Sequence, residues 1–212
     1  MDGVVCRNMP AHEEAWRIFF RGHGIELKPK DFRENTMGMP TREVLSYYFK
    51  RKVPPEEAQA HADEKETLYR RIYRPKRRAA PGLRGFLAEA GRMAIPRGLG
   101  TGSKDDNVTF ILDGLKLRDS FEAVVDGGDV KKGKPNPETF LILAERLKVL
   151  PRNCVVFEDS LLGEEAARRA GMTAVAVTTS HHASEFRHAK LAVRDFRALR
   201  VSDVSDLIGL AA

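Results

Sequence analysis

The sequence predicts an α/β fold in which a doubly wound parallel sheet carries an inserted α-helical domain. Before about residue 80 the apolar residues repeat with helical spacing, and no strand pattern is present. After Pro81 short apolar stretches alternate with amphipathic helices, which is typical of a parallel sheet. We therefore expect an α/β core formed by residues 1–7 and 81–212 and a helical domain formed by residues 8–80.

Three helices are predicted in the first half of the chain. Residues 11–23 carry apolar side chains near a period of 3.6. Residues 41–48 form a second helix, with Thr41 as its N-cap. A long third helix opens at Pro54-Pro55-Glu56-Glu57 and runs towards Tyr73, because proline suits a first helical turn.

The second half is predicted to supply the strands of the sheet. The apolar stretches are 98–100, 121–125, 154–157 and 173–177, and the intervening helices are 83–90, 107–115, 137–147 and 163–170. Ligands bind beyond the carboxyl ends of the strands in such a sheet. Polar loops follow Val5, Leu99, Val125 and Phe157, so we expect the site at that edge.

Composition narrows the range of partners and compartments. The net charge of +6 is concentrated in local runs such as 74–78, and no aromatic residues interleave with them. A solvated surface therefore explains the charge better than a nucleic-acid groove. No apolar run is long enough for a membrane span, and only Cys6 and Cys154 are present. We expect a cytoplasmic protein that binds neither membrane nor nucleic acid; its oligomeric state is not predicted.

The strongest chemical signal is a pair of acids, Glu158 and Asp159, directly after a buried strand. Carboxylates in this position are costly unless they meet a cation, and their hard oxygens suit Mg²⁺. In the alternative interpretation, Asp159 or Ser160 merely caps the next helix.

Two further segments bring groups suited to an anion. Lys134 lies between Gly133 and Pro135 and can project a compact charge into the cleft, whereas Lys131 and Lys132 are interpreted as surface lysines. The small residues of Gly100-Thr101-Gly102-Ser103 allow a close backbone approach to an anion. Ser103 is either a phosphate contact or the cap of the next helix.

Together with the opening Asp2-Gly3-Val4-Val5, these segments resemble the haloacid dehalogenase (HAD) superfamily in order and spacing. The resemblance covers nearly the whole chain and is closest to β-phosphoglucomutase-like phosphatases with a helical cap. It implies that Thr101, Lys134 and the Gly102 N–H contact the phosphoryl group. It also implies that Glu158 and Asp159 hold Mg²⁺ with the carbonyl of Asp2, whose carboxyl group acts as acid and base.

The same resemblance places the attacking aspartate directly before Met1, at the end of a central apolar strand. The chain as written would then lack its nucleophile, so we expect such a strand, ending in aspartate, ahead of Met1. A chain that truly begins at Met1 would be a catalytically inactive phosphate-binding protein.

The helical domain matches the cap of these relatives. The resemblance implies substrate contacts for His12 and Lys65, although a helix-surface histidine and a solvated helix lysine are the alternatives. Residues 38–42 resemble the specificity loop, including Thr41 and Arg42. Its arginine comes one residue later than in the sugar mutases.

These features predict a Mg²⁺-dependent phosphatase of a small phosphorylated metabolite, with a sugar phosphate as the expected substrate and an aspartyl-phosphate intermediate. A β-phosphoglucomutase-type mutase is the alternative within the enzyme class, and the displaced arginine argues against it.

Overall fold

The computed structural model describes residues 1–36 and 39–209, except for the side chains of Arg33 and Glu34. The chain divides into a helical unit, Asn8–Lys76, and an α/β unit, Met1–Arg7 with Arg77–Ala212. Residues 77–80 belong to the α/β unit, where Ala79 pairs with Cys6. Gly38 of the predicted specificity loop lies outside the described residues. No helix in the described ranges is long and apolar enough to cross a membrane.

The helical unit contains four helices: α1 (Met9–Gly22), α2 (Pro29–Asn35), α3 (Thr41–Phe49) and α4 (Pro55–Tyr73). Three of them were predicted from the sequence; α2, a seven-residue helix that begins at a proline, was not. The expected cap of α3 is wrong, because Pro40 holds the N-cap position and Thr41 is already helical. Aromatic residues of α1, Trp16, Phe19 and Phe20, form the centre of the buried core of this unit.

The α/β unit alternates helices and strands as predicted. Its elements are α5 (Leu83–Arg92), β1 (Gly98–Gly100), α6 (Asp105–Leu112), β2 (Ala123–Val125), α7 (Glu138–Leu147), β3 (Val155–Glu158), α8 (Leu161–Arg169), β4 (Thr173–Val177), β5 (Leu191–Val193) and α9 (Val201–Ser205). The parallel α/β class is confirmed. The last strand and helix were not predicted because both are short.

The strands form two parallel ladders in the part of the chain that the structure describes. One joins β1 to β2, with Leu99 opposite Val124, and the other has the order β3-β4-β5, with Val156 opposite Ala174. The second edges of β1 and β3 pair with no described strand. An apolar cavity of about 450 Å³ is lined by both strands, by Met1 and by Leu143 of α7. The ladders therefore share a cavity at their unpaired edges.

Candidate active site

The opening loop of the α/β unit is tied to two other loops. Gly3 adopts φ +71°, and its carbonyl oxygen accepts a hydrogen bond of 2.7 Å from Oγ1 of Thr179, just beyond β4. The Asp2 carboxylate accepts a hydrogen bond of 2.8 Å from Oγ of Ser103, in the loop after β1. Asp2 and Ser103 are 101 positions apart in the chain, and Gly3 and Thr179 are 176 apart. Both pairs meet at one edge, as a parallel sheet requires.

The loop after β1 holds a buried threonine. The N–H of Thr101 donates to the Val125 carbonyl at 2.9 Å, and its Oγ1 accepts a hydrogen bond of 3.1 Å from the Ser103 N–H. Lys104 occupies the N-cap position of α6, so the interpretation of Ser103 as the helix cap is wrong. The hydroxyl group of Ser103 is directed instead at Asp2.

The acid pair lies at the carboxyl end of β3 and is buried, with Glu158 6% and Asp159 7% exposed. Glu158 Oε1 accepts a hydrogen bond from the Lys134 ammonium group, and Oε2 accepts one of 3.0 Å from Oγ of Ser160. Ser160 caps α8 by accepting from the Gly163 N–H at 3.0 Å. The capping interpretation therefore holds for Ser160, whereas the two carboxylates face other partners.

The charged form costs more free energy for Asp159 than for Glu158. Burial, and then the charge of Glu158, raise the pKa of Asp159 to about 6, although Ser180 donates a hydrogen bond to its Oδ2. Burial would also raise the pKa of Glu158, but the Lys134 ammonium and the Met1 amino group outweigh it and lower that pKa. Glu158 thus has a cation beside it, whereas the ionisation of Asp159 costs free energy.

Replacing Asp159 with asparagine is expected to stabilise the metal-free protein at pH 8. The pKa of Asp159 is higher in the folded state, so its contribution to stability is present below pH 4 and is lost as the pH rises through 6. The shift from 3.8 to about 6 corresponds to about 3 kcal/mol at most. Thermal unfolding in a chelator at pH 4.5 and pH 8 measures the difference.

A carboxylate whose pKa is shifted in the opposite direction provides the control. Asp195 has its pKa lowered to about 2 by Arg197, so Asp195→Asn should lower the melting temperature at pH 8. An Asp159→Asn variant less stable than the wild type at pH 8 would contradict the expected sign.

Sequence reasoning missed the two hydroxyl groups of Thr179 and Ser180. They follow the carboxyl end of β4 as a polar run, Thr178-Thr179-Ser180, so their position after a buried strand was an available signal. Their contacts with Gly3 and Asp159 join the opening loop to the acid pair.

The predicted cap residues His12 and Lys65 meet inside the helical unit. Nζ of Lys65 lies 3.1 Å from Nδ1 of His12 and 2.6 Å from Oε1 of Glu66, with the ring centroid of Trp16 at 5.0 Å. Lys65 is only 4% exposed, so the solvated-lysine interpretation is wrong. An ammonium group only donates, and the Nδ1 that faces it must therefore accept.

The ring of His12 is fixed by stacking. It lies parallel to the Tyr69 ring with centroids 3.7 Å apart and is partly buried, so the interpretation of His12 as a surface histidine is wrong. Thr41 and Arg42 begin α3, and Arg42 is exposed. Nothing in the described part of the helical unit brings these two residues to His12.

A family model of haloacid dehalogenase-like hydrolases matches residues 1–171, which include the opening loop, the loop after β1, Lys134 and the acid pair. The chain belongs to this family. The resemblance found in the sequence is thereby confirmed.

Individual relatives of this HAD-like hydrolase are phosphatases and a mutase. The chain is 35% identical over 181 residues to a phosphorylated carbohydrates phosphatase of Thermotoga maritima, covering 81% of this chain and 79% of the relative. It is 34% identical over 177 residues to the fructose-1-phosphate phosphatase YqaB of Escherichia coli, covering 84% and 93%. The crystal structure of a β-phosphoglucomutase of Clostridium difficile superposes with a TM-score of 0.85 at 28% identity, covering 98% and 93%.

The donor chemistry of the acid pair fits the divalent cation that this family implies. Two buried carboxylates are hard oxygen donors, the type that Mg²⁺ takes. Among the described residues, Asp2, Glu158 and Asp159 do not bring three side-chain oxygens within 4.8 Å of one another. The Asp2 carboxylate therefore does not complete a three-carboxylate set with the acid pair.

Proposed function

We propose that the protein is a Mg²⁺-dependent phosphatase of a small phosphorylated carbohydrate that works through an aspartyl-phosphate intermediate. One observation carries the proposal: Lys134 and Asp2, from two separate loops, lie beside the buried acids Glu158 and Asp159 at one sheet edge. The two phosphatase relatives support the substrate class.

In this proposal Lys134 binds the phosphoryl oxygens. Its ammonium group already neutralises Glu158, and its position beside that buried carboxylate holds it at the rim of the cluster. The hydroxyl group of Thr101 and the Gly102 N–H would donate to the same oxygens, whereas the one hydroxyl proton of Ser103 goes to Asp2. Such fixed donors stabilise the charge that spreads over the phosphoryl group during transfer.

Asp2 is proposed as the general acid and base. The hydroxyl group of Ser103 holds one of its oxygens at 2.8 Å and so fixes the direction of the carboxyl group. A positioned carboxyl group of this kind can protonate the leaving oxygen and then take a proton from the attacking water.

Mg²⁺ would be held by Asp159, Glu158 and the backbone carbonyl of Asp2. When bound, the ion neutralises charge on the phosphoryl group and on the acid pair. Lys134 and Ser160 occupy the two oxygens of Glu158, so Asp159 is proposed as the direct carboxylate ligand and Glu158 as its support.

The cavity supports the proposal that an upstream strand supplies the attacking aspartate. A space of about 450 Å³ between β1 and β3, lined by apolar side chains, is large for a close-packed interior. Both strands present unpaired backbone groups there, and buried groups of this kind are normally bonded. An apolar strand joined ahead of Met1 would fill the space and deliver an aspartate beside Asp2.

Substrate selection is assigned to the helical unit. His12 and Lys65 are proposed to contact the carbohydrate, since Tyr69 and Trp16 fix the two groups. Thr41 and Arg42 remain candidates for the specificity loop.

Product analysis tests the function. Protein carrying the proposed upstream strand, incubated with Mg²⁺ and a panel of hexose and pentose phosphates, is expected to release inorganic phosphate. Asp2→Asn is expected to lower the rate by about two to four orders of magnitude, because it removes a positioned acid and base. An isomerised sugar phosphate without free phosphate would identify a mutase instead. Binding of sugar phosphate without turnover would identify an inactive binding protein.

A further inference from the structure

A second cluster of ligand groups lies within the helical unit. His23 stands at the end of α1, and His61 and Glu64 lie three residues apart on α4. One ligand atom from each residue lies within 4.8 Å of the others. All three residues belong to one unit, so the fold of that unit alone sets their geometry.

The end of α1 fixes the position of His23. Gly24 takes φ +74° and closes the helix, and the N–H of Ile25 returns to the Phe20 carbonyl at 2.9 Å. His23 therefore sits at the negative end of the helix dipole. A cation is favoured in that position.

Two phenylalanine rings hold both imidazoles. The Phe19 ring centroid lies 4.6 Å from that of His23 and 5.3 Å from that of His61. The Phe49 ring centroid lies 5.5 Å and 5.3 Å from the same two rings. The histidine side chains are 33% and 18% exposed, so they are restrained by packing and still reach solvent.

Carboxylates border the pair of imidazoles. Oε2 of Glu64 lies 3.8 Å from Nε2 of His23, and the 56% exposure of its side chain leaves it room to turn towards an ion. Oε1 of Glu57 lies 3.3 Å from Nε2 of His61. Arg51 donates hydrogen bonds to both oxygens of Glu57, so this second carboxylate is held in place and can orient the imidazole.

We propose that His23, His61 and Glu64 form a site for Zn²⁺ that joins the end of α1 to α4. Two imidazole nitrogens and one carboxylate oxygen are a donor set that zinc takes, with a further position for water. Mg²⁺ prefers oxygen donors alone, so this site and the acid pair of the α/β unit would select different ions.

Titration of the full chain tests the site. Chelator-treated protein is titrated with Co²⁺, which reports histidine ligation by visible absorption, and then with Zn²⁺. We expect one saturable Co²⁺ site that Zn²⁺ displaces and a rise in melting temperature with Zn²⁺. Glu64→Gln, which alters a largely exposed side chain, should weaken binding at least about tenfold, because mutating even a group that only supports a metal ligand costs about that much. His61→Ala should abolish the absorption.

Matched variants separate this site from others. The double variant His181→Ala/His182→Ala removes the adjacent histidines of the α/β unit, and Asp159→Asn alters the acid pair; both should keep the absorption. A melting temperature for metal-free Glu64→Gln equal to that of the wild type shows that its fold is intact. No histidine-type absorption at millimolar Co²⁺, or an affinity unchanged by Glu64→Gln and His61→Ala, would overturn the proposal.

Discussion

Protein extended ahead of Met1 by an apolar strand ending in aspartate is expected to hydrolyse sugar phosphates about four to six orders of magnitude faster than the chain from Met1. The estimate is the loss that enzymes show when a covalent nucleophile is removed. An attacking carboxylate splits phosphoryl transfer into two easier steps, and no substitute for it is proposed in the cluster.

The same extension is expected to stabilise the fold. A strand of about five residues would pair with the open edges of β1 and β3 and would cover the apolar walls of the cavity. At about 24 cal/mol per Å³, a cavity of about 450 Å³ corresponds to a penalty on the order of 10 kcal/mol as an upper limit. We therefore expect a higher melting temperature, measured by calorimetry.

Two matched extensions separate catalysis from packing. The apolar strand ending in asparagine should give the increase in melting temperature without phosphate release. A polar extension of equal length should give neither effect. If the apolar extension ending in aspartate leaves both the melting temperature and the rate unchanged, the strand proposal is wrong.

The polar edge of the site could be predicted because strand endings are visible in the sequence. An apolar run such as Val155-Val156-Phe157, followed at once by two acids, has few explanations other than a site at a sheet edge. Parallel strands then bring Glu158 and the loops around Lys134 and Thr101 to the same edge. The contact between Lys134 and Glu158 follows from that topology.

Other contacts depend on side-chain directions that no local pattern encodes. Ser103 was equally consistent with a helix cap, and only its distance from Asp2 in the folded chain decides between the two. For Lys65 the sequence left open a solvated helix lysine as the alternative to a substrate contact, yet the side chain is buried, with its ammonium group over the Trp16 ring. The cluster around His23 and His61 was missed because it requires the end of α1 to meet the middle of α4.

Lys134→Met is expected to cost about 3–5 kcal/mol in stability at pH 8, as measured by chemical denaturation. Methionine keeps most of the side-chain volume, and the main loss is the cation that neutralises the buried carboxylate of Glu158. Removing one partner of a buried ion pair leaves the other charge buried without a counter-ion. Activity of the extended protein should fall by about two to three orders of magnitude, since a phosphoryl contact is also lost.

The pH dependence distinguishes this effect from simple loss of packing. In the wild type the lowered pKa of Glu158 gives stability that is present at high pH and lost as the pH falls. Without Lys134, burial raises that pKa, so the sign reverses and the variant loses stability as the pH rises. The difference between the two proteins should therefore shrink towards pH 4.

A neighbouring lysine and a double variant complete the test of the ion pair between Lys134 and Glu158. Lys131→Met alters an exposed side chain three residues away and should change stability by less than about 0.5 kcal/mol. Lys134→Met/Glu158→Gln removes both charges and should recover most of the stability while activity stays low, because a neutral pair no longer leaves a buried charge unpaired. If the double variant were as unstable as Lys134→Met alone, the lost cation–π contact between the Lys134 ammonium group and the Phe140 ring would explain the loss in place of the ion pair.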